Sequence, residues 1–193
     1  LNNKMLDLDN DEHTRIKELL NDNKKDEVLE YLKKYMCENK LLGIIEENIE
    51  KNHILHERKQ ILSTIINHFN SKDYISVNNM LPLQIEGLFH DYCLLMDIKE
   101  KELNISALNA KLDRLKERND NLSLVNYEYF SFRFPIIRNK VAHGRYFDTK
   151  DEFQAVFLLF DLFSVCQIII DERVPLNNYI KTKKENLEKA KGE

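Results

Sequence analysis

Apolar residues recur every three or four positions along almost the whole chain, and few residues interrupt this pattern. Gly occurs only 4 times and Pro only 3 times among the 193 residues. Sheet proteins need many tight turns, and tight turns use Gly and Pro because these residues adopt the required backbone angles. A hydrophobic period of about 3.6 residues is instead typical of helices. The sequence therefore predicts an all-α protein with one substantial core.

The periodic segments divide the chain into three parts. Segments 11–21, 25–37 and 41–50 predict three short amphipathic helices, and residues 52–56 predict a polar joint after them. From residue 57 the apolar pattern strengthens and continues to about residue 171. We therefore expect an N-terminal helical appendage at residues 1–52, a helical domain at residues 57–171 and a charged tail at residues 172–193.

Caps and prolines predict where several helices of the second part begin and end. Residues 70–73 offer a stop followed by an N-cap, and Pro82 implies that the next helix kinks or starts at that position. The following helix is expected over residues 105–118, with a polar turn at 119–121. A single helix is expected from residue 124 to residue 143 despite Pro135, with Gly144 as its C-terminal stop.

Residues 153–170 are apolar enough to resemble a membrane span. Asp161 falls near the centre of this segment, where a carboxylate costs roughly 2.5–3.5 kcal/mol on insertion into a bilayer. We therefore predict a helix buried in protein, spanning about 151–171, and no association with a membrane.

The three cysteines are far apart and form no CxxC pair, which favours a reducing, cytoplasmic environment. The chain begins at Leu1 rather than Met, which indicates a trimmed chain or a fragment of a longer protein.

The segment around residues 138–144 carries the most reactive set of side chains. Arg138 and His143 are separated by four residues, and Asn139 follows the arginine directly. Five helical residues advance about 7.5 Å and about 140°, so the two side chains are not stacked, but the long arginine can reach toward the histidine. Asn139 precedes His143 by four residues and shares its face, where it can orient the imidazole or a substrate group. His143 falls in the last turn, where the helix dipole favours a positive charge on a general acid.

This segment resembles the R-x4–6-H signature of HEPN domains, in which a polar residue often follows the arginine. Arg138, Asn139 and His143 match that signature in order. The late position of the motif, and the long helix expected around residues 83–91, also resemble the family's core of four or five helices. The resemblance covers about residues 57–171 and implies a HEPN-like helical bundle with the N-terminal appendage as an extra layer.

The resemblance implies a metal-independent endoribonuclease that leaves 2′,3′-cyclic phosphate ends and uses no cofactor. Arg138, Asn139 and His143 would be its catalytic residues. Such proteins usually pair as homodimers and often act in phage defence, abortive infection or toxin systems. We therefore expect RNA as the substrate and a second copy of the chain as a partner. A further domain or a protein partner is also compatible with this function. The alternative function is a non-catalytic HEPN module that binds nucleotides or RNA, or dimerises, and regulates a partner or an attached effector.

One position departs from a subgroup of the family. HEPN toxins that are paired with nucleotidyltransferase antitoxins tend to carry a modified Tyr two residues after the histidine. Arg145 occupies that position here and Tyr146 comes one residue later, which puts a modification switch of that type in doubt.

Several residues near the motif have two interpretations. Glu86 is either a buried acid that supports the site by pairing with Arg138, or a boundary residue near solvent. A basic cluster either binds RNA phosphates or forms a solvated helix face. Its RNA-binding candidates are Arg133, Lys140, Arg145 and Tyr146.

The motif itself has a second interpretation, because Arg138 can be a surface ion-pair residue and His143 a helix cap. The HxxH spacing of His53 and His56 resembles half of a metal site, but no third and fourth ligand accompany it. We predict no metal site and interpret these histidines as core or surface residues.

Overall fold

The structure is a computed structural model that describes residues 10–103, 107–118, 122–145, 148 and 150–169. All regular secondary structure in these ranges is helical, which confirms the expectation of an all-α protein. The elements are α1 (Asn10–Asn21), α2 (Lys25–Glu38), α3 (Leu41–Lys51), α4 (His53–Glu57), α5 (Lys59–Asn70), α6 (Tyr74–Leu95), α7 (Glu100–Leu103), α8 (Leu108–Arg118), α9 (Leu124–Glu128), a π-helical turn (Tyr129–Arg133), α10 (Phe134–Ala142) and α11 (Glu152–Ile169).

Helix α6 is the central element, and α5, α8, α10 and α11 all pack against it. Asp73 caps its N-terminus, because its side chain accepts a hydrogen bond from the Ser76 N–H at 3.2 Å. The helix begins there and continues through the buried Pro82, so the expectation that it could start at Pro82 is wrong. Apolar residues on several faces allow α6 to be covered from several sides: Val77, Leu81, Ile85, Leu88, Phe89 and Tyr92 are all buried.

Helix α11 lies along α6 and is buried over most of its length, with 12 of its 18 residues inaccessible to solvent. Among the described residues it is the one helix long and apolar enough to span a membrane, and 67% of it is buried inside the protein. The predicted buried helix is therefore confirmed. Asp161 in its centre is fully buried and accepts a hydrogen bond from the Tyr129 hydroxyl at 2.9 Å. Burial raises the pKa of that hydroxyl, so Tyr129 remains the donor.

The N-terminal helices lie within one residue of the predicted bounds, and they pack onto the rest of the bundle. Helices α2 and α3 contact α11, and α3 also contacts α5. Val28, Leu32 and Ile45 are completely buried and belong to the same core as the residues of α6. The division into an appendage at residues 1–52 and a domain at residues 57–171 stays a prediction.

Residues 52–56, where the sequence predicts a polar joint, contain most of the short helix α4, and their role as a joint stays a prediction. The Asn52 side chain caps it by accepting hydrogen bonds from the N–H groups of Ile54 at 3.0 Å and Leu55 at 3.2 Å. Both apolar residues are buried. The polar residue thus starts a helix rather than interrupting the fold.

The single helix expected over residues 124–143 is divided into α9, the π-helical turn and α10. The Phe134 N–H donates to the Tyr129 carbonyl five residues earlier, which is the hydrogen bond of a π-helix. Pro135 lies in the first turn of α10 and has no N–H, so it cannot donate a hydrogen bond back into the π-helical turn.

Gly144 ends α10 as predicted. It has a φ of +59°, in the left-handed region that glycine adopts at little cost. Its N–H donates to the Val141 carbonyl at 3.2 Å, and the Arg145 N–H donates to the Lys140 carbonyl at 2.8 Å. These two bonds form a Schellman motif, which satisfies carbonyls that the helix end would leave free.

Helix α8 begins at Leu108 rather than at residue 105, and residues 104–106 lie outside the described residues. The expected turn at 119–121 and the expected tail at 172–193 lie outside them as well.

Candidate functional site

Arg138 lies on the face of α10 that packs against α6, opposite Glu86. Its Nε donates a hydrogen bond to Glu86 Oε2, and its Nη1 donates to Asn139 Oδ1 at 2.9 Å. The Glu86 side chain is 14% exposed and the Arg138 side chain 28% exposed. The structure contains the predicted pair of Glu86 and Arg138, and Glu86 is only partly buried, so it is also the boundary residue near solvent that the sequence analysis left open.

Lys111 on α8 is a second cation beside Glu86, and the sequence analysis missed it. Its Nζ lies 3.9 Å from Glu86 Oε1, and its side chain is only 9% exposed. Lys111 follows Leu108 by three residues and precedes Leu115 by four, so it shares the apolar face of α8. A lysine on an apolar stripe is the signal that could have identified it, because a buried ammonium group needs an acidic partner.

Glu86, Arg138 and Asn139 line a cleft of about 290 Å³ between α6, α8 and the start of α10, and Lys111 lies behind it beside Glu86. Two cations, Arg138 and Lys111, surround one carboxylate, so the site carries an excess of positive charge. Arg138 Nη2 has no hydrogen-bond partner among the described residues, and a guanidinium N–H suits a phosphate oxygen. The lining residues are Glu86, Ala107, Leu108, Asn109, Ser131, Pro135, Arg138 and Asn139.

The structure places His143 outside this cleft, at the exposed C-terminal end of α10. Its main-chain N–H donates to the Asn139 carbonyl at 3.1 Å, so the residue closes the helix through its backbone. The imidazole forms no hydrogen bond or ion pair with any residue that the structure describes, so it is open to solvent and to a ligand. Asn139 shares the helix with His143, but its side-chain oxygen accepts from Arg138.

The predicted RNA-binding residues do not gather in the cleft. All three described candidates are exposed. Arg133 lies on the π-helical turn, Lys140 within α10 and Arg145 just after α10. Tyr146 lies outside the described residues. The structure thus brings Glu86, Arg138 and Asn139 together and leaves the other cations on the surrounding surface.

An apolar patch on the same region was not predicted from the sequence. Phe132 is 61% exposed and Ile136 is 60% exposed, although both side chains are large and apolar. They are four residues apart, and Lys140 and His143 follow Ile136 by four and seven residues, so all four lie on one side. The apolar surface and the candidate histidine therefore face the same direction.

The histidines with HxxH spacing are surface residues beside carboxylates. His53 Nε2 lies 3.7 Å from Glu57 Oε1, and His56 Nδ1 lies 3.9 Å from Glu50 Oε2. Within the described ranges, no group of three or more His, Cys, Asp or Glu side chains is placed to hold a metal ion.

Comparison of the chain with protein-family models, with curated proteins and with solved structures finds no match. The resemblance to HEPN domains rests on the motif and on its helical surroundings.

Proposed function

We propose that this chain is a metal-independent endoribonuclease of HEPN type. The observation that carries the proposal is the cleft in which Arg138 is held against Glu86, with Lys111 beside it and Asn139 on its other side. An arginine held in this way keeps its remaining N–H groups oriented, so it can stabilise charge on phosphoryl oxygens without reorganising. A chain of net charge −4 needs such a local excess of cations to bind RNA.

In the proposed reaction the ribose 2′-oxygen attacks the adjacent phosphorus, and the bond to the 5′-oxygen breaks. The products are a 2′,3′-cyclic phosphate and a 5′-hydroxyl. His143 removes the proton of the 2′-hydroxyl or protonates the leaving 5′-oxygen. Arg138 stabilises the negative charge that grows on the phosphoryl oxygens, and Asn139 positions the arginine. Exposed Arg133, Lys140 and Arg145 bind the flanking phosphates.

The proposed enzyme is a homodimer, because one chain exposes His143 away from its own cleft. Phe132 and Ile136 offer an apolar surface on the side of α10 that carries His143. Two copies that pack through this surface about a two-fold axis bring their two histidines close to each other. One histidine can then act as base while the histidine of the second copy acts as acid.

The test is cleavage of mixed RNA by the purified chain in EDTA. We expect cleavage with 2′,3′-cyclic phosphate ends, and no cleavage of DNA or of RNA methylated at the 2′-oxygen. His143→Ala should lose roughly 10²–10⁴-fold in rate. Alanine keeps the main-chain N–H that closes α10, so this variant should fold. His53→Ala, at an exposed residue outside the motif, is the control and should cleave normally.

Two results would reject the enzyme. One is a folded His143→Ala variant that cleaves at the wild-type rate, and the other is loss of cleavage on chelation. Failure of the wild type to cleave any RNA favours the second candidate, a non-catalytic HEPN module that binds nucleotides or RNA. Two observations support that candidate. The Nε and Nη1 of Arg138 already donate to Glu86 and Asn139, and His143 does not line the cleft.

A further inference from the structure

A cavity that bears cationic side chains lies away from the motif, where α2, α3, α5, α6 and α11 meet. It has a volume of about 440 Å³. Met36, Leu42 and Phe69 form its apolar part. Its polar rim consists of Lys33, Lys40, Lys72, Asn70, Tyr74 and Glu152. A space of this size and composition fits a small organic ligand rather than a single ion.

Three lysines and one glutamate border this cavity, and one of the lysines, Lys33, pairs both with this glutamate and with Glu30. The Tyr74 hydroxyl donates to Glu152 Oε1 at 2.8 Å, and Lys33 Nζ lies 3.2 Å from the same oxygen. Burial raises the pKa of Tyr74 to about 12, so this hydroxyl stays a donor at neutral pH. Lys40 and Lys72 form no ion pair within 4 Å among the residues that the structure describes, although the charge of Lys72 is near enough to help lower the pKa of Glu152.

These two lysines have a backbone conformation that does not favour lysine. Lys40 has a φ of 49° and Lys72 a φ of 62°, each at the position just after a helix where glycine or asparagine is preferred. The other described residues with positive φ are Asn23, Asp97 and Gly144, which adopt it more readily. Two lysines that border one cavity in this conformation are compatible with a role for their side chains.

The main chain adds to the positive character of the rim. Leu42 and Gly43 belong to the first turn of α3, whose N-cap residue Lys40 makes no side-chain hydrogen bond to that turn. A side chain added at Gly43 would meet no atom within 4 Å, so the space beside this residue is open. N–H groups in the first turn of a helix favour a negative ligand group.

We propose that this cavity, the lysine pocket, binds a small anionic amphiphile, which is a molecule with a carboxylate or phosphate head and an apolar body. The head lies between Lys40 and Lys72, and the apolar body contacts Met36, Leu42 and Phe69. The pocket is positive in a chain whose net charge is −4, so it selects an anion against the average field of the protein.

The first test uses 8-anilinonaphthalene-1-sulfonate, an anionic aromatic probe that fluoresces when it enters an apolar site. We expect saturable binding of one probe per chain. Decanoate and decyl phosphate should both displace it, and the tighter of the two identifies the head group. Decyltrimethylammonium has the same chain with a cationic head and should not displace it. If decyltrimethylammonium displaces the probe as effectively as decanoate does, the proposal is overturned.

Cys37 gives an independent measurement, because it lines the lysine pocket and is exposed, whereas Cys93 and Cys166 are buried. Iodoacetamide should therefore alkylate the folded chain once, at Cys37. Saturating decanoate should slow this alkylation, measured by intact mass. An alkylation rate that decanoate leaves unchanged overturns the proposal.

Substitutions separate binding from folding. Lys40→Gly and Lys72→Gly remove the charge and relieve the left-handed backbone, so the melting temperature should not fall while affinity for the probe drops roughly five- to tenfold. Lys34→Ala, on α2 but outside the pocket, should bind normally. Glycine variants that bind as tightly as the wild type, or a Lys34→Ala variant that is equally weakened, overturn the proposal.

Discussion

Glu86 on α6 accepts a hydrogen bond from Nε of Arg138 on α10, although 52 residues separate them in the sequence. The contact crosses the interface between the central helix and the helix that carries the motif. Lys111 approaches the same carboxylate from α8. Three helices are therefore joined at one partly buried acid, and this acid determines which way the arginine of the motif points.

A double-mutant cycle should show that Glu86 and Arg138 stabilise the fold together. We expect Glu86→Ala and Arg138→Ala to be coupled by about 1–2 kcal/mol, because their charges are largely shielded from water. Urea denaturation of the two single variants and the double variant measures this coupling. Lys34 and Glu38 are the control, since their side chains are 72% and 63% exposed at a separation of 3.8 Å. That pair should couple by less than about 0.5 kcal/mol, and an equally small value for Glu86 and Arg138 contradicts the prediction.

Gly144→Ala should destabilise the chain by about 1 kcal/mol. A Cβ at this residue would meet no atom within 4 Å, so the cost comes from the positive φ alone. Gly43→Ala is the matched comparison, because Gly43 is helical and equally unobstructed. Alanine there should stabilise α3 by about 0.5 kcal/mol. The two variants should move the urea midpoint in opposite directions. A Gly144→Ala midpoint at or above that of the wild type contradicts the predicted cost of a positive φ at this residue.

Phe132→Ser combined with Ile136→Ser should weaken self-association by roughly tenfold or more. Both side chains are exposed in the single chain, so the stability of the monomer should change by less than about 0.5 kcal/mol. Light scattering over a concentration series measures the association. Ile75→Ser, at another exposed apolar residue, is the control and should dimerise like the wild type. A wild type that stays monomeric at high micromolar concentration argues against the dimer.

Stability should fall at mildly acidic pH because of His90. Burial, and then the charge of Lys111, lower the pKa of this imidazole below its ordinary value of 6.5. The unfolded chain then binds the proton at a higher pH than the folded chain does. The stability that depends on neutral His90 is complete above about pH 6.5 and is lost as the pH falls from there through the folded pKa.

His90→Gln removes this titration. The free energy of unfolding of the wild type, relative to that of the variant, should therefore decrease between about pH 7.5 and about pH 5.5. A difference between the two proteins that stays constant across this range shows that His90 is not the responsible group.

The sequence predicted the helices whose ends carry recognisable caps. The sequence predicts Asp73 as a residue that begins a helix and Gly144 as one that ends a helix, and the structure confirms both. The pairing of Glu86 with Arg138 was also predictable, because an acid on an apolar helix face needs a cation and the motif supplied one.

Other features depend on packing that a sequence pattern does not contain. Asn52 was interpreted as part of a polar joint, although the same residue caps α4. Lys111 was missed because it lies beside leucines that dominate the pattern of α8. Exposure of Phe132 and Ile136 depends on the rotation of their helix, which the periodicity alone did not reveal.

The π-helical turn at Tyr129–Arg133 sets the angular phase of α10 relative to α9. This turn holds one more residue than an α-helical turn, because its hydrogen bond closes five residues back rather than four. An extra residue in a helix that stays α-helical would rotate every later residue by about 100°. The wider turn absorbs that residue, so α10 keeps the rotation at which Arg138 meets Glu86. Loss of one residue here would therefore close an ordinary α-helix that still presents the arginine to the same neighbour, whereas the same loss in a helix without the turn would direct it elsewhere.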